Sequence, residues 1–367
     1  MNILIIADFY IYGGGTFSVL EKIIRMHNDM GHKTELLIEK NKTTTQLNFL
    51  CKTYKVNITT YPVRKLIFEN PLFSIIYELF IYLFYIRNIS YDLIFVTNGV
   101  CYYFMTLLFF KNPIVLLMNA YPKQGFSLKY KFMYLFPMFM RSNKMIITVS
   151  KYAAIQVSKY LGFDNSNIYT IYNSFNPIYL NLNPKYNKNI VFTAGLITAD
   201  KNPDVWLLVA ENVCKYIPET KFIWVGGLTE QIKRMEDKVR IKGLENNVEF
   251  IEYTYDIIPY YNESKVYFQP SKNENNSIAV IEAMAAGLPC VVSNVGGMTE
   301  SVLNNKTGFV CDPNNVSEFS QNIIKVLKNK NLVINMGNKG RDRAKNIFSV
   351  KVQKLRFNNL YSNIIKN

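Results

Sequence analysis

A chain of 367 residues with 49% hydrophobic side chains can supply two domains with a core each. Lys and Arg outnumber Asp and Glu by 42 to 27, a formal charge of +15. Five scattered cysteines and two histidines, His27 and His32, with no C-x-x-C pair, argue against a disulfide framework and a zinc site and fit a reducing cytoplasm.

The positive charge is concentrated in the first half. Residues 1–185 carry 19 basic and 9 acidic side chains, and between Asp92 and Asp164 there are eight Lys/Arg and no acid. Such a field attracts phosphates, anionic lipid or nucleic acid.

In chain order, "MNILIIADFY" has no basic segment before its apolar run and reads as a first buried strand, not a signal peptide. "YGGGTFSVLEKI" follows, with Gly13 to Gly15 ahead of a helix opening near Thr16. Glycines let backbone N–H groups approach a ligand, and a helix N-terminus favours an anion. "KTELLIE", "DLIFVT", "PIVLLMN", "KMIITVS" and "NIYTIYN" are further strand-like runs.

Among these lies "PLFSIIYELFIYLFYI" (Pro71–Ile86), 16 residues carrying Glu78. It is short of the roughly 20 apolar residues that a spanning helix needs. "CYYFMTLLFF" and "YKFMYLFPMFM" are shorter still. Each alone reads as a buried helix. With the acid-free basic field, together they suggest a surface that lies on a membrane.

"NSFNPIYLNLNPKYNKN" (Asn173–Asn189) is dense in Asn and Pro and reads as a linker. Beyond it the strand-like runs are "NIVFTAG", "KFIWVGG", "VEFIEY", "KVYFQPS", "PCVVSN" and "GFVCD", separated by helical patterns such as "NPDVWLLVAENVCKYIP". Strands alternating with helices specify α/β domains around parallel sheets, with ligands at the carboxyl ends of the strands. The chain therefore reads as two doubly wound α/β domains facing a cleft. The first is residues 1–175, completed by a helix at about 346–367, and the second is 188–345.

The chemistry should sit at those strand ends. "VFTAGLITADKNP" puts Gly195 at one of them and Lys201 six residues on, before a helix, where lysine opposes the helix dipole unless an anion compensates. In "SKNENNSIAVIEAMAAGLPCVVSNVGG", Ser277 is a natural N-cap for a helix closed by Gly287. Glu274 then lies in the preceding loop and Glu282 within the helix. Between them the backbone amides of Ser277, Ile278 and Ala279 offer a seat for phosphate. A carboxylate on each side of an anion seat suits a nucleotide sugar, whose hydroxyl-bearing rings flank a diphosphate.

This stretch resembles the glycosyltransferase family 4 signature of GT-B enzymes, an E-x7-E pattern running into "EAMAAGLPCVVSNVGGMTE". "GGT" at Gly14–Thr16, "GH" at Gly31–His32, "IITVSKYAA", "AGLITADKNP" and "NKTGFVCDPNNVSEF" also fall in family order, and "NIFSVKVQKLRFNNLY" resembles the family's last helix. The resemblance implies a retaining transfer from a nucleotide-diphosphate sugar, without cofactor or metal, on domain closure. Glu274 would meet the sugar hydroxyls and Glu282 the ribose. The amides of Ile278 and Ala279, with Lys201, would hold the diphosphate, and Gly14 and Gly15 would close over it. Glu274 and Lys201 are thus the catalytic candidates. Gly14, Gly15, Gly195, Lys201, Ser277, Ile278, Ala279 and Glu282 are the donor-binding ones, and Thr16, Asn119 and Tyr121 the acceptor-side ones.

Three positions depart from the family pattern. Leu196 stands where arginine is usual, Ser277 replaces a glycine, and Asn119 replaces a strand-end histidine. Asparagine can hydrogen-bond a sugar but carries no proton, which puts acceptor activation in question.

The expected partners are a nucleotide sugar, a glycan or lipid-linked acceptor and the anionic inner face of the cell membrane, as in capsule, lipopolysaccharide or exopolysaccharide assembly. A degenerate member that binds without turnover and a GT-B-like nucleotide-sugar epimerase are the alternatives. No recognition motif accompanies the basic field, which argues against a nucleic-acid binder.

Overall fold

The computed structural model describes residues 1–7, 15–40, 43–61, 91–97, 113–119, 144–161 and 163–366. Gly13, Gly14, Tyr121 and the apolar stretches at 71–86, 101–110 and 130–140 lie outside the described residues. The chain divides into two compact units: Met1–Ile171 with Lys354–Asn367, and Tyr172–Gln353. The break at 353/354 falls inside one helix, Val350–Lys366.

The first unit is built on seven strands among the described residues: β1 (Asn2–Ala7), β2 (Lys33–Glu39), β3 (Asn57–Tyr61), β4 (Leu93–Thr97), β5 (Ile114–Met118), β6 (Lys144–Thr148) and β7 (Ile168–Thr170). All pairings are parallel, in the order β3-β2-β1-β4-β5-β6-β7. β1, β4 and β5 are runs of Ile, Leu, Val and Phe because helices cover both faces of such a sheet. β3, "NITTY", is not anticipated from the sequence, since this polar strand, paired among the described residues with β2 alone, shows no apolar run.

Gly15 and Thr16 open the helix Gly15–Asp29, at the carboxyl end of β1, and Asn119 directly follows β5. The C-terminal residues pack on this unit. Lys354 pairs with Asp29 at 2.6 Å, and Phe357 lies 6.0 Å from Phe95, ring centre to ring centre. No helix among the described residues is long and apolar enough to cross a membrane.

His27 is sealed in this packing at 0% exposure. Its Nε2 is 2.8 Å from the Tyr361 hydroxyl, and its ring meets Phe95 edge-on. Burial first, then the neighbouring His32, lower its pKa to about 3. The unfolded chain, with an ordinary value of 6.5, therefore takes up the proton first as pH falls. The stability is present in full above pH 6.5 and is lost as pH falls toward 3, by about 2 kcal/mol at pH 5. Denaturant titrations near pH 7.5 and near pH 5 check this, and the difference should shrink in His27→Gln.

The second unit carries β8 (Ile190–Ala194), β9 (Lys221–Gly227), β10 (Val248–Glu252), β11 (Val266–Gln269), β12 (Cys290–Ser293) and β13 (Gly308–Cys311), paired in parallel in the order β10-β9-β8-β11-β12-β13. The order reverses between β8 and β11, the position at which an open parallel sheet has a ligand crevice beyond its strand ends. One face is packed by Trp206, Trp224, Phe222 and Phe319, with the two indoles 5.3 Å apart; the other by Phe192, Tyr261, Tyr267 and Met284.

The segment expected as a linker is built into this unit. Phe175, Tyr179 and Leu182 are buried in its core around a 3-10 turn at Pro177–Asn181. The backbone N–H of Asn173 donates to Asn276 Oδ1 at 2.8 Å. Density in Asn and Pro here marks a turn with apolar anchors, not a free connection.

Candidate functional site

Gly195, Lys201, Glu274, Ser277, Ile278, Ala279 and Glu282 all belong to the second unit. Two loops at the carboxyl ends of β8 and β11 carry the first three, joined by the Lys272 N–H donating to Asp200 O at 2.8 Å. Gly195 has φ +132°, a backbone that a side chain rarely adopts. Its carbonyl accepts from Trp224 Nε1 at 2.7 Å. A Cβ placed on it would meet Cε of Lys201 at 3.9 Å, so the lysine stem runs over this glycine.

Lys201 ends a 3-10 turn, Ala199–Lys201, and Asn202 in the left-handed region starts the helix Pro203–Tyr216. The anion that compensates this lysine is Glu274. Lys201 Nζ donates to Glu274 Oε2 in an ion pair whose side chains are only 23% and 17% exposed. The same oxygen accepts from Gln269 Nε2 at 2.9 Å, and Glu274 Oε1 accepts a longer bond, 3.3 Å, from the Asn275 N–H.

Ser277 caps the helix Ile278–Ala286, its Oγ accepting from the Val280 N–H at 3.4 Å. The first bond of the intrahelical pattern runs from Ile281 N–H to Ser277 O at 3.2 Å, so the amides of Ile278 and Ala279 precede it. Gly287, at φ +91°, ends the helix. The Arg341 guanidinium meets the terminal carbonyls of Ala285 and Ala286 at 3.2 and 2.7 Å, a cation on the negative end of the helix.

Glu282 lies half-buried on the same helix and accepts from the Tyr261 hydroxyl at 3.3 Å. Burial, then the charge of Glu282, raises the Tyr261 and Tyr179 hydroxyls well above the ordinary range. Both phenols therefore stay protonated and available to Glu282 as donors. Their rings meet edge-to-face at 4.9 Å.

Sequence reasoning missed Gln269, Tyr179 and Tyr261. Gln269 had a visible signal, a lone amide closing the apolar run "VYFQ". The tyrosines had none, because a phenol on a carboxylate 21 or more residues away looks in sequence like any core aromatic. Gly14 and Tyr121 lie outside the described residues, as does the side chain of Thr16.

Residues 181–343, most of the second unit, match the family described as glycosyl transferases group 1. An uncharacterized glycosyltransferase of Haemophilus influenzae is 29% identical over 54% of this chain and 60% of its own length. The UDP-Gal:alpha-D-GlcNAc-diphosphoundecaprenol alpha-1,3-galactosyltransferase of Escherichia coli is 27% identical over 49% and 47%. The chain thus spans about half the length of the curated relatives it matches. In fold, the likeness covers the whole molecule: the crystal structure of a glycosyltransferase from Rickettsia africae aligns with a TM-score of 0.84 over 100% of this chain and 99% of that one, at 19% identity. The two parallel sheets share the α/β fold of that glycosyltransferase structure, and residues 181–343 carry the match to the glycosyl transferases group 1 family.

Proposed function

We propose that the chain is a retaining, metal-independent hexosyltransferase that moves a sugar from a nucleoside-diphosphate sugar to a glycan or lipid-linked acceptor in cell-surface polysaccharide assembly. The observation that carries this is the Lys201–Glu274 ion pair beside the helix start at Ile278, with Glu282 further along that helix. It gives one cation and two leading amides for a diphosphate, with a carboxylate to either side for the hydroxyls of sugar and ribose. The main chemical burden is the charge developing on the departing diphosphate, which preorganised amides and a lysine meet electrostatically. The donor and lipid-diphosphate acceptor named for the Escherichia coli relative support the substrate class. The +15 charge supports work at the anionic inner face of the membrane, peripherally held.

The test is a calorimetric screen of UDP, GDP, dTDP, CDP and their common sugars, with EDTA present. One nucleotide should bind selectively, and Glu282→Ala should abolish that binding; no binding to any would refute the donor site. Binding to anionic vesicles should fall steeply with salt, and salt-independent or absent binding removes the membrane assignment.

Asn119 and Leu196 favour a second reading, a donor-binding protein without turnover. Donor binding with neither transfer nor hydrolysis would select it.

A further inference from the structure

Gln269 ends β11, "VYFQ", after three apolar residues, and it is completely buried at 0% exposure. A carboxamide in a core needs all its hydrogen bonds made, and here each has a partner. Nε2 donates to Glu274 Oε2 at 2.9 Å and to Ser271 Oγ at 3.1 Å. Oε1 accepts from the Tyr267 hydroxyl at 3.0 Å and from the Ser277 hydroxyl at 3.1 Å. The orientation of the amide follows from the chemistry. A carboxylate only accepts, so the NH2 must face Glu274. Ser277 Oγ already accepts from the Val280 N–H, so its own proton points at Oε1.

We propose that Gln269 is a positioning residue of the donor site, whose one side chain fixes the Glu274 carboxylate relative to the cap of the helix Ile278–Ala286 and so sets the preference for a nucleotide sugar over the bare diphosphate. This rests on the donor-site reading above. The geometry explains why one amide should matter there. Glu274 Oε2 takes two donors, Lys201 and Gln269, while Oε1, which among the described residues accepts one long bond, from Asn275, is the oxygen we assign to a sugar hydroxyl. A diphosphate that draws Lys201 away leaves Gln269 as the group still holding Oε2. The carboxylate then keeps its place at the moment a sugar must be recognised. On the other side, the same amide keeps the Ser277 hydroxyl in its capping rotamer, and with it the first turn of the helix.

Two variants test this, each first checked for a native circular-dichroism spectrum. Gln269→Leu removes both contacts in similar volume. Gln269→Glu keeps the acceptor for Ser277 and Tyr267 but turns a carboxylate toward Glu274. Affinities for UDP, GDP, dTDP and CDP and for their hexoses are measured by calorimetry. In both variants the nucleotide sugar should lose at least tenfold more affinity than the matching diphosphate, with the larger loss in Gln269→Glu. Equal losses for the two ligands, or none, would overturn the proposal and leave Gln269 a core residue. If the wild-type protein binds none of the probes, the donor-site reading fails separately. A crystal structure of Gln269→Leu then decides the local claim: displaced Glu274 and Ser277 side chains uphold it, and unchanged ones reject it.

Discussion

Glu274→Ala is expected to reduce transfer by about a hundredfold or more while leaving affinity for the bare nucleoside diphosphate equal to the wild-type value or above it. The asymmetry comes from the ion pair. Glu274 and Lys201 are mostly buried against each other, so a diphosphate must compete with the glutamate for the lysine. Removing the carboxylate deletes the contact to the sugar and at the same time releases the cation. Kinetics of transfer alongside calorimetry with the diphosphate checks this. A parallel loss of both would show that Glu274 serves the phosphates or the fold instead of the sugar.

Lys201→Met carries the opposite expectation. The methionine keeps an apolar stem over Gly195 and removes the charge, so the local packing is retained. Diphosphate affinity should fall by about 10- to 100-fold, the worth of a hydrogen bond to a charged group in a site that is largely closed to water. Leu196 stands where arginine is usual in the resembled family, so the variant should lose most of the binding; an unchanged dissociation constant would remove Lys201 from the site. The two substitutions together should not add, because each already breaks the same pair.

Much of the fold is legible in the sequence, for a physical reason. Strands covered on both faces must be apolar along their whole length, so "NILIIA", "LIFVT" and "IVFTA" announce themselves. The edge strand "NITTY" escapes because it carries a single aliphatic side chain among polar ones, so no apolar run marks it. In the site, the local pieces are legible: Ser277 as a cap, Gly287 as a stop, and the two glutamates about one helix start. What crosses long stretches of sequence is not. Glu274 lies 73 positions from Lys201, and no periodicity links them. Likewise the Tyr179 phenol reaches Glu282 from a segment whose composition suggests a loose connection.

The division of the chain bears on how it is made. The second unit is continuous, Tyr172–Gln353, whereas the first needs Lys354–Asn367 to cover Phe95 and His27. During synthesis the downstream unit can therefore close its sheet while the upstream one still waits for its last helix. Domains that emerge first usually fold first; here the order of completion is reversed. Until residues 354–366 leave the ribosome, Phe95 and His27 lack the Phe357 and Tyr361 side chains that pack on them, and parallel sheets are slow to form and prone to aggregate. The helix Val350–Lys366 thus completes the first unit only after the second has been made.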